Sequence, residues 1–392
     1  MIYCTISASL IYLKEFGNVA MNYSPNTVQV DLSALVHNLN QVKRLVGSMT
    51  KIMGIVKSDA YGHGALHVSE VLEKKGVHSL GVAHVHEALN LRKGGIRAPI
   101  VVLCGTTTGD ETRAAVENGL MPVLFDRQQA EILNAEALRA NRIARVFLKL
   151  DTGMGRLGIF IAELQGFLEK LRALRGLLLE GLFSHLSSAD EPENDFTSSQ
   201  IENFDRAIEI GRAMEFSLPL NNLANSAALI KYRQSHYDMV RPGIMLYGGL
   251  PSPELSASVS LRPVMHFKGK VIQVRDLPGS SPVSYGRTYY TKGRQRIAVV
   301  SAGYGDGLPR SLSNTGKVLI RGKRVPIVGT VCMNMVMADV SELEDVGPGE
   351  EVVFLGTQGR EVITGDEVAA WSGTISYEIF CSLGQRNTRE YL

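Results

Sequence analysis

The sequence predicts an α/β protein with a (βα)8 TIM-type barrel followed by a C-terminal, mainly antiparallel β domain. Two patterns predict this fold. Over roughly the first two thirds of the chain, eight short apolar runs alternate with amphipathic stretches, as in a barrel where a helix follows each strand. After residue 255 helical periodicity nearly disappears, and strand-like runs separated by glycine-containing turns follow one another.

The chain has 392 residues, which is enough for two domains. We expect a disordered extension or an upstream start at residues 1–20, the barrel at residues 21–255 and the β domain at residues 256–392. The first segment contains the apolar run ISASLIYL, but this run is short and no Lys or Arg precedes it, unlike a secretory signal. No run of 18 apolar residues occurs, so we expect no transmembrane helix.

An amphipathic helix precedes the first barrel strand. Apolar residues between Leu32 and Val46 recur with the spacing of one helix face, and Asp31 is available as the N-cap. Further helical patterns cover residues 66–75, 110–119, 127–140, 160–175 and 198–215. The predicted barrel strands are Ile52–Val56, Leu80–Ala83, Ile100–Leu103, Pro122–Phe125, Arg145–Leu150, Leu179–Ser184, Leu218–Leu223 and Met239–Leu246.

These runs are nearly continuous in apolar character, which is typical of strands buried on both faces. An open doubly wound sheet is the alternative, but no GxGxxG motif follows the first strand. The domain boundary is expected near Leu250–Ser260. The predicted strands of the β domain are Val264–Val274, Arg296–Ser301, Lys317–Ile320, Val325–Val340 and Glu351–Leu355.

Composition excludes several classes of function. The net charge is only +2 and the positive residues are scattered, so no nucleic-acid-binding face is expected. The four cysteines are far apart and form no CxxC pair: Cys4, Cys104, Cys332 and Cys381. The sequence therefore predicts neither a disulfide framework nor a zinc site, and it favours the reducing cytoplasm as the compartment.

The active site of a (βα)8 barrel lies at the carboxyl ends of its strands. Four polar residues follow predicted strands here, and a fifth comes shortly after the start of the last strand: Lys57, Arg156, His185 and Ser226, and then Arg241. Each alone has an ordinary interpretation, as a solvated lysine, a surface arginine, a structural histidine or a helix cap. Together, a lysine and a helix start of the phosphate-binding type suggest a phosphorylated aldehyde cofactor bound as an imine.

The motifs around these residues resemble, in order, those of the alanine racemases. They are VKSDAYGHG, KLDTGMGRLG, FSHLSSADE, LANSAA, VRPGIMLYG, VSYGRTY, AGYGDG and VCMNM. The resemblance runs from Val28 to the C-terminus. It implies a cofactor-binding barrel, a following β domain, and a head-to-tail homodimer with shared active sites.

The resemblance also implies the cofactor and its ligands. Lys57 would carry pyridoxal 5'-phosphate as a Schiff base and act as one catalytic base. Arg241 would face the pyridine nitrogen, where a permanent charge keeps that nitrogen unprotonated. The other cofactor-binding positions, all but His185 at the phosphate, correspond to Tyr61, His185, Ser226, Gly243, Ile244 and Tyr377.

By the same resemblance, Tyr285 would be the second catalytic base and would come from the partner subunit. Two bases on opposite faces of a planar intermediate remove and return a proton without turning the substrate. An ordinary tyrosine has a pKa near 10, so Tyr285 needs neighbours such as Arg156 and His185 to act near neutral pH.

The substrate carboxylate would bind Arg156 and the backbone of Met333. Lys149 corresponds to a lysine that some members carbamylate, and Tyr304 to a residue on the access path. Asn334 departs from the family pattern, in which many members carry aspartate. The same resemblance implies that Tyr285 and Tyr377 narrow the pocket to a methyl side chain.

The implied function is a cytoplasmic isomerase that interconverts L- and D-alanine and supplies D-alanine for peptidoglycan in the cell wall. A racemase of broader specificity, for serine, lysine or arginine, is the alternative that Asn334 favours. A non-catalytic cofactor carrier of barrel fold would lack the β domain and the second base. A barrel-type amino-acid decarboxylase would place a cysteine near the site. We expect an amino-acid substrate and no nucleic acid, membrane or metal.

Overall fold

The structure is a computed structural model that describes residues 24–191 and 195–392. The predicted extension at residues 1–20 lies outside the described residues. Within these two ranges, no helix is long and apolar enough to cross a membrane. A barrel and a second sheet share one hydrophobic core.

The chain begins with β1 (Thr27–Val30) and α1 (Leu32–Val46). Asp31 caps α1 as predicted, because its carboxylate accepts hydrogen bonds from the backbone N–H groups of Ser33 at 2.8 Å and Ala34 at 2.9 Å. The apolar face of α1 is buried, as its spacing requires.

The barrel strands are parallel and largely buried, as the apolar runs predict. They are β2 (Lys51–Ile55), β3 (Ser79–Val82), β4 (Ile100–Val102), β5 (Met121–Leu124), β6 (Ala144–Lys149), β7 (Leu177–Phe183) and β8 (Met239–Val240). Their order in the sheet is β7-β6-β5-β4-β3-β2-β8. The helices of the barrel are α3 (Ala65–Lys74), α4 (Val85–Lys93), α5 (Gly109–Glu117), α6 (Arg127–Arg139), α7 (Ile161–Ala173), α8 (Asp195–Ala213) and α9 (Ser226–Lys231). The segment α2 (Lys57–Tyr61) is a left-handed turn.

The predicted seventh strand, Leu218–Leu223, is wrong in extent. Only Asn222 bridges there, to Phe183 at the end of β7 and to Met239 at the start of β8, and this residue closes the barrel. The predicted eighth strand is also too long, since β8 has two residues and a 3-10 turn occupies Ile244–Tyr247. The helix α4 was not predicted.

The second domain is mainly antiparallel, as expected. Its strands are β9 (Met265–Leu277), β10 (Pro282–Val283), β11 (Tyr289–Tyr290), β12 (Gln295–Val300), β13 (Lys317–Ile320), β14 (Lys323–Pro326), β15 (Val336–Asp339), β16 (Glu351–Gln358), β17 (Glu361–Ile363) and β18 (Arg389–Tyr391). Two helices that periodicity did not reveal, α10 (Gly365–Ser372) and α11 (Ser376–Arg386), precede β18. The predicted run Val325–Val340 is divided between β14 and β15.

Strand β1 belongs to this second sheet, although it lies within the residues predicted for the barrel. It pairs antiparallel with β9 and parallel with β18. The predicted fold class, a barrel followed by an antiparallel β domain, is confirmed. The exact domain boundary stays a prediction.

Candidate active site

Lys57 is the second residue after β2, and an unusual turn follows it. The backbone of the next four residues, Ser58 to Tyr61, is left-handed, with φ between 53° and 55°. None of these residues is glycine, and each costs about 1–2 kcal/mol in this conformation. Contacts from other elements must therefore stabilise the turn that orients Lys57.

One carboxylate on α4 supports the start of this turn. Glu87 accepts hydrogen bonds from the backbone N–H groups of Ser58 at 2.6 Å, Ala83 at 2.7 Å and His84 at 3.0 Å. It also opposes the lowering of the Lys57 pKa. Sequence reasoning missed Glu87 because α4 itself was not predicted.

The end of the turn is fixed by a buried histidine. The ring of His63 is fully buried, and its Nδ1 lies 3.0 Å from the Ala60 carbonyl and 3.1 Å from the Tyr61 carbonyl. Since carbonyls only accept, Nδ1 carries the proton. Burial lowers the pKa of His63 to about 4, so the ring is neutral. His63 stood in the motif but received no role from the sequence.

Lys57 shares its surroundings with other cations. Burial lowers the pKa of Lys57, and the charge of Arg156 lowers it further. Lys149 ends β6 and is buried, with its Nζ 4.3 Å from the centre of the Phe183 ring. Burial, aided by Arg241 and Arg156, lowers the pKa of Lys149 to about 7. The site is thus positive, which suits anionic ligands.

Arg241 follows β8 and is buried behind His185. Its guanidinium donates to Asn222 Oδ1 at 2.7 Å and to the Ser184 carbonyl at 2.7 Å, and it lies 3.2 Å from His185 Nδ1. Burial lowers the pKa of Arg241 to about 9, so the group stays charged at neutral pH. Because Arg241 donates to Nδ1, a neutral His185 carries its proton on Nε2.

His185 is held in this neutral form by its environment. Burial lowers the pKa of His185 well below its ordinary value, and the charges of Arg241 and Lys149 lower it further. Its backbone carbonyl accepts from Gln200 Nε2 at 3.1 Å. His185 is therefore a hydrogen-bond donor through Nε2 rather than a cation.

Three of the predicted phosphate-binding residues come together. The Gly243 N–H donates to Ser226 Oγ at 2.9 Å. A Cβ on Gly243 would lie 2.5 Å from Tyr61 Oη, so a side chain at residue 243 would displace that hydroxyl. Asn225 caps α9 by accepting from the Ala228 N–H at 3.0 Å. We call Tyr61, Ser226 and Gly243 the hydroxyl cluster.

Tyr377 and Ile244 adjoin this cluster. Tyr377 lies on α11, and its ring centre is 5.7 Å from that of Tyr61. Burial, with the nearby charges of Asp190 and Asp366, raises the pKa of Tyr377, and burial also raises that of Tyr61. Both hydroxyls are therefore protonated donors. Ile244 is buried directly after Gly243.

Arg156 lies on the loop after β6. Asp151 shapes this loop by accepting from the backbone N–H groups of Gly153 at 2.9 Å and Gly155 at 3.1 Å. Arg156 is exposed, yet its charge reaches the barrel mouth, where it lowers the pKa of Lys57 and Lys149.

Tyr285 and Met333 lie elsewhere in the chain, on the β domain. Their side chains are 72% and 58% exposed. Thr330 Oγ1 donates to the Tyr285 carbonyl at 2.8 Å, and the Gly305 N–H donates to the Met333 carbonyl at 2.6 Å. In the described part of the chain, no hydrogen bond or ring contact joins Tyr285 to a barrel residue.

Tyr304 and Asn334 lie beside Met333. Tyr304 begins a 3-10 turn, and its N–H donates to the Cys332 carbonyl at 3.0 Å. Asn334 Nδ2 donates to Asp306 Oδ2 at 3.2 Å. An aspartate at residue 334 would repel Asp306, so this departure from the family pattern suits its neighbour.

Two family models match the chain. The model described as alanine racemase, N-terminal domain, matches residues 30–251, and the one described as alanine racemase, C-terminal domain, matches residues 264–391. Among curated relatives, an alanine racemase of Syntrophobacter fumaroxidans is 44% identical over 93% of this chain and 96% of its own length. Alanine racemase 2 of Caldanaerobacter subterraneus is 42% identical over 94% and 95%.

Solved structures of alanine racemases are also similar to this chain over most of its length. An alanine racemase from a D-cycloserine-producing Streptomyces lavendulae has a TM-score of 0.89 and 33% identity, covering 94% of this chain and 97% of its own. The biosynthetic alanine racemase of Pseudomonas aeruginosa has a TM-score of 0.86 and 34% identity, covering 94% and 99%.

Proposed function

Since the chain belongs to the alanine racemase family, we propose that it interconverts L- and D-alanine with pyridoxal 5'-phosphate bound at Lys57. The observation that carries this proposal is the hydroxyl cluster of Tyr61, Ser226 and Gly243, in the same barrel as the amine of Lys57. A phosphate and an aldehyde on one small molecule would engage both.

The residues present fit this cofactor. The hydroxyl cluster offers two O–H groups, those of Tyr61 and Ser226. Because Gly243 has no Cβ, there is room beside it for the Tyr61 hydroxyl. Hydroxyl groups and backbone amides suit a phosphate dianion. The cations Arg156 and Arg241 lie close enough to lower the pKa of Lys57 or His185, and they complement the phosphate and the substrate carboxylate.

Lys57 would work as a base on one face of the substrate. Because burial and Arg156 lower its pKa, more of the amine is neutral and able to take a proton. The cofactor, when bound, supplies a conjugated ring that delocalises the electron pair left at Cα. The left-handed turn after Lys57 would orient the Nζ atom, which takes the proton from this face in one direction of the reaction and delivers a proton to it in the other.

Arg241 would lie at the ring nitrogen of the cofactor. The guanidinium is charged at neutral pH and donates to several fixed acceptors at once. A fixed positive charge at this position would disfavour protonation of the ring nitrogen. The expected consequence is weaker electron withdrawal, which suppresses side reactions such as transamination.

The opposite face needs a second base, which we assign to Tyr285 of a second copy of the chain. The observation in support is that Tyr285 and Met333 are exposed, together with Tyr290 and Met335 of the same domain. An exposed aromatic and methionine surface is typical of a protein interface. The proposed homodimer would complete each barrel site with the β domain of its partner.

His185 links this second base to Arg241. Its Nε2–H is the free donor, since Nδ1 faces Arg241. A hydrogen bond from Nε2 would stabilise the tyrosinate form of Tyr285 from the second copy. Arg156 and the Met333 backbone would bind the substrate carboxylate, and Tyr377 with Tyr285 would restrict the side-chain space to a methyl group.

Incubation of the enzyme with its cofactor and single L-amino acids in heavy water tests the function. We expect L-alanine to give D-alanine that carries deuterium at Cα. Serine, lysine and arginine in parallel test the broader specificity that Asn334 suggests. Carbon dioxide release would indicate a decarboxylase instead, and no exchange with any amino acid would refute the proposal.

The cellular role follows from the product. We propose that the enzyme supplies D-alanine for peptidoglycan from the cytoplasm. The unpaired cysteines Cys104, Cys332 and Cys381 of the described residues support a reducing compartment.

A further inference from the structure

The turn after Lys57 is held by the far end of the chain. Arg389 on β18 donates through Nη1 to Asp59 Oδ2 and, at 3.0 Å, to the Gly62 carbonyl. Asp59 is a left-handed residue of the turn, and its other carboxylate oxygen accepts from the Ala65 N–H at 2.7 Å. One guanidinium therefore joins the middle of the turn to its end.

Tyr391, two residues after Arg389, packs against the residues that follow the turn. The ring of Tyr391 stacks on His67 of α3 with centres 3.8 Å apart and planes 15° apart. A Cβ on Gly64 would lie 1.9 Å from Tyr391 Oη. The turn and the last strand are thus in direct contact, without room for a side chain at residue 64.

Helix α11 packs on the turn from a third direction. A Cβ on Gly384 would lie 1.9 Å from the Gly62 carbonyl oxygen, and one on Gly62 would lie 2.4 Å from the Phe380 carbonyl oxygen. The backbone of α11 is therefore in direct contact with the backbone at Gly62. Residues 384–392, which we call the C-terminal strap, therefore contact the turn at Asp59 and the glycines that follow the turn, Gly62 and Gly64.

We propose that Arg389 of the C-terminal strap is a positioning residue that keeps the left-handed turn formed and thereby orients Lys57. This inference rests on the proposed function of Lys57. The local hydrogen bonds of the turn, such as Gly64 N–H to the Asp59 carbonyl at 2.9 Å, close it but do not anchor it to the sheet. The Asp59–Arg389 ion pair supplies that anchor.

Strand β18 is suited to this role because it is itself fixed. Arg389 lies opposite Val28 of β1 in the parallel pair. Beyond it, Leu392 N–H donates to the Val30 carbonyl at 3.0 Å and its own carbonyl accepts from Leu32 N–H at 3.2 Å. The guanidinium therefore extends from a rigid sheet and not from a free tail.

The test replaces Arg389 by methionine, which keeps an aliphatic side chain and removes the charge. A second variant, Arg389→Lys, keeps the charge on a single ammonium group in place of the guanidinium. Amide hydrogen exchange is measured on peptides covering residues 57–65, in the full-length holoenzyme and after cofactor removal. We expect Arg389→Met to speed exchange of this segment by about ten-fold or more, and Arg389→Lys to restore part of the protection.

Kinetics give a second readout. The turn acts on Lys57 and not on the substrate carboxylate, so Arg389→Met should lower kcat by about 10- to 100-fold while KM for alanine changes by less than about three-fold. Arg324→Met is the matched control. Arg324 of the β domain is also ion-paired, to Glu361 and Glu367, and its loss should leave both readouts unchanged.

Two outcomes would overturn the proposal. One is unchanged exchange of residues 57–65 in folded Arg389→Met. The other is a uniform rise of exchange over the whole barrel, which would make Arg389 a merely structural residue. Should Arg389→Met fail to fold, Asp59→Asn removes the other half of the pair without altering β18, and the same exchange pattern is expected. A wild-type protein that racemises no amino acid would refute the proposed function, while the exchange readout would still judge the anchoring of the turn.

Discussion

Replacing Gly243 by alanine tests the hydroxyl cluster at its most crowded point. The new Cβ would lie 2.5 Å from Tyr61 Oη and 3.3 Å from Tyr61 Cζ. The ring cannot readily turn away, since it packs against the rings of Tyr247 at 4.8 Å and Tyr377 at 5.7 Å. We expect the hydroxyl to be displaced from the position in which it would bind phosphate.

The size of the effect follows from the bond that is lost. A hydrogen bond from a hydroxyl to a charged group is worth about 1.5–3 kcal/mol, which is about 10- to 150-fold in the dissociation constant. Tyr61→Phe removes the same bond directly. The double variant Gly243→Ala/Tyr61→Phe should therefore bind the cofactor little worse than Gly243→Ala alone.

The assay is a titration of cofactor-free protein with pyridoxal 5'-phosphate, followed by absorbance. The three variants and the wild type form a double-mutant cycle, in which any backbone cost at residue 243 is common to both arms and cancels. Gly109→Ala is the control, because a Cβ at Gly109 would meet no atom within 4 Å. Effects that add within about 0.5 kcal/mol would refute the steric link between Gly243 and Tyr61.

Three further predictions test other parts of the site. Since the pKa of Lys149 is lowered to about 7, its neutral amine should bind carbon dioxide, so carbon-13 bicarbonate should give a carbamate signal by NMR that Lys149→Arg abolishes; no signal in the wild type would contradict this. The pKa of His63 falls from 6.5 to about 4, so its contribution to folding is complete above pH 6.5 and is lost as the pH falls toward 4, by about 3 kcal/mol. Denaturant unfolding at pH 7 and pH 4.5 should therefore show a smaller loss in His63→Phe than in the wild type, and equal losses would be evidence against a neutral buried ring. Lys57→Ala and Tyr285→Phe should each be inactive as homodimers, but mixed subunits should recover about a quarter of wild-type activity because half the dimers contain one intact shared site; no recovery after verified mixing would argue against a shared site.

Three residues that the sequence analysis selected at strand ends lie near one another in the barrel, and their role in a site stays a prediction. Lys57, His185 and Arg241 all lie at strand ends, and hydrogen bonds or charges join them as a cluster. The rule works because parallel strands that close into a barrel bring their carboxyl ends together. The rule does not identify Tyr285, which is not at a barrel strand end and was predicted as the second base from the family resemblance alone.

The seventh strand could not be judged from apolar character. Asn221 and Asn222 lie at its end, and their side chains bond backbone carbonyls of Leu218 at 2.9 Å and Leu220 at 3.0 Å. Gly181 on β7 approaches this segment so closely that a Cβ would lie 2.6 Å from the Leu220 carbonyl carbon. The N–H groups of Leu220 and Asn222 still donate to the carbonyls of residues 180 and 182 on β7, at 3.0 Å each. The pairing with β7 is therefore kept over a shorter stretch than predicted, and hydrophobic periodicity does not record where it stops.

The left-handed turn was equally beyond sequence reasoning. The stretch from Lys57 to Tyr61 contains no glycine, and its propensities give no preference for a left-handed backbone. Its conformation depends on Glu87, on the buried ring of His63 and on Arg389, which is 330 residues away from Asp59. Tertiary contacts of this kind override local preference.

The pairing of β1 with β9 makes the barrel an insertion in a β domain. The chain leaves the second sheet at Asp31 and returns to it at Val264, and the Asp31 N–H donates to the Val264 carbonyl at 2.8 Å. The ribosome therefore releases the first strand of this sheet long before its neighbour β9, and β18 emerges last of all. An excised segment of residues 256–392 would lack an inner strand, so attempts to express it alone should give insoluble protein, whereas a permuted chain that carries residues 24–31 after its own end restores that strand.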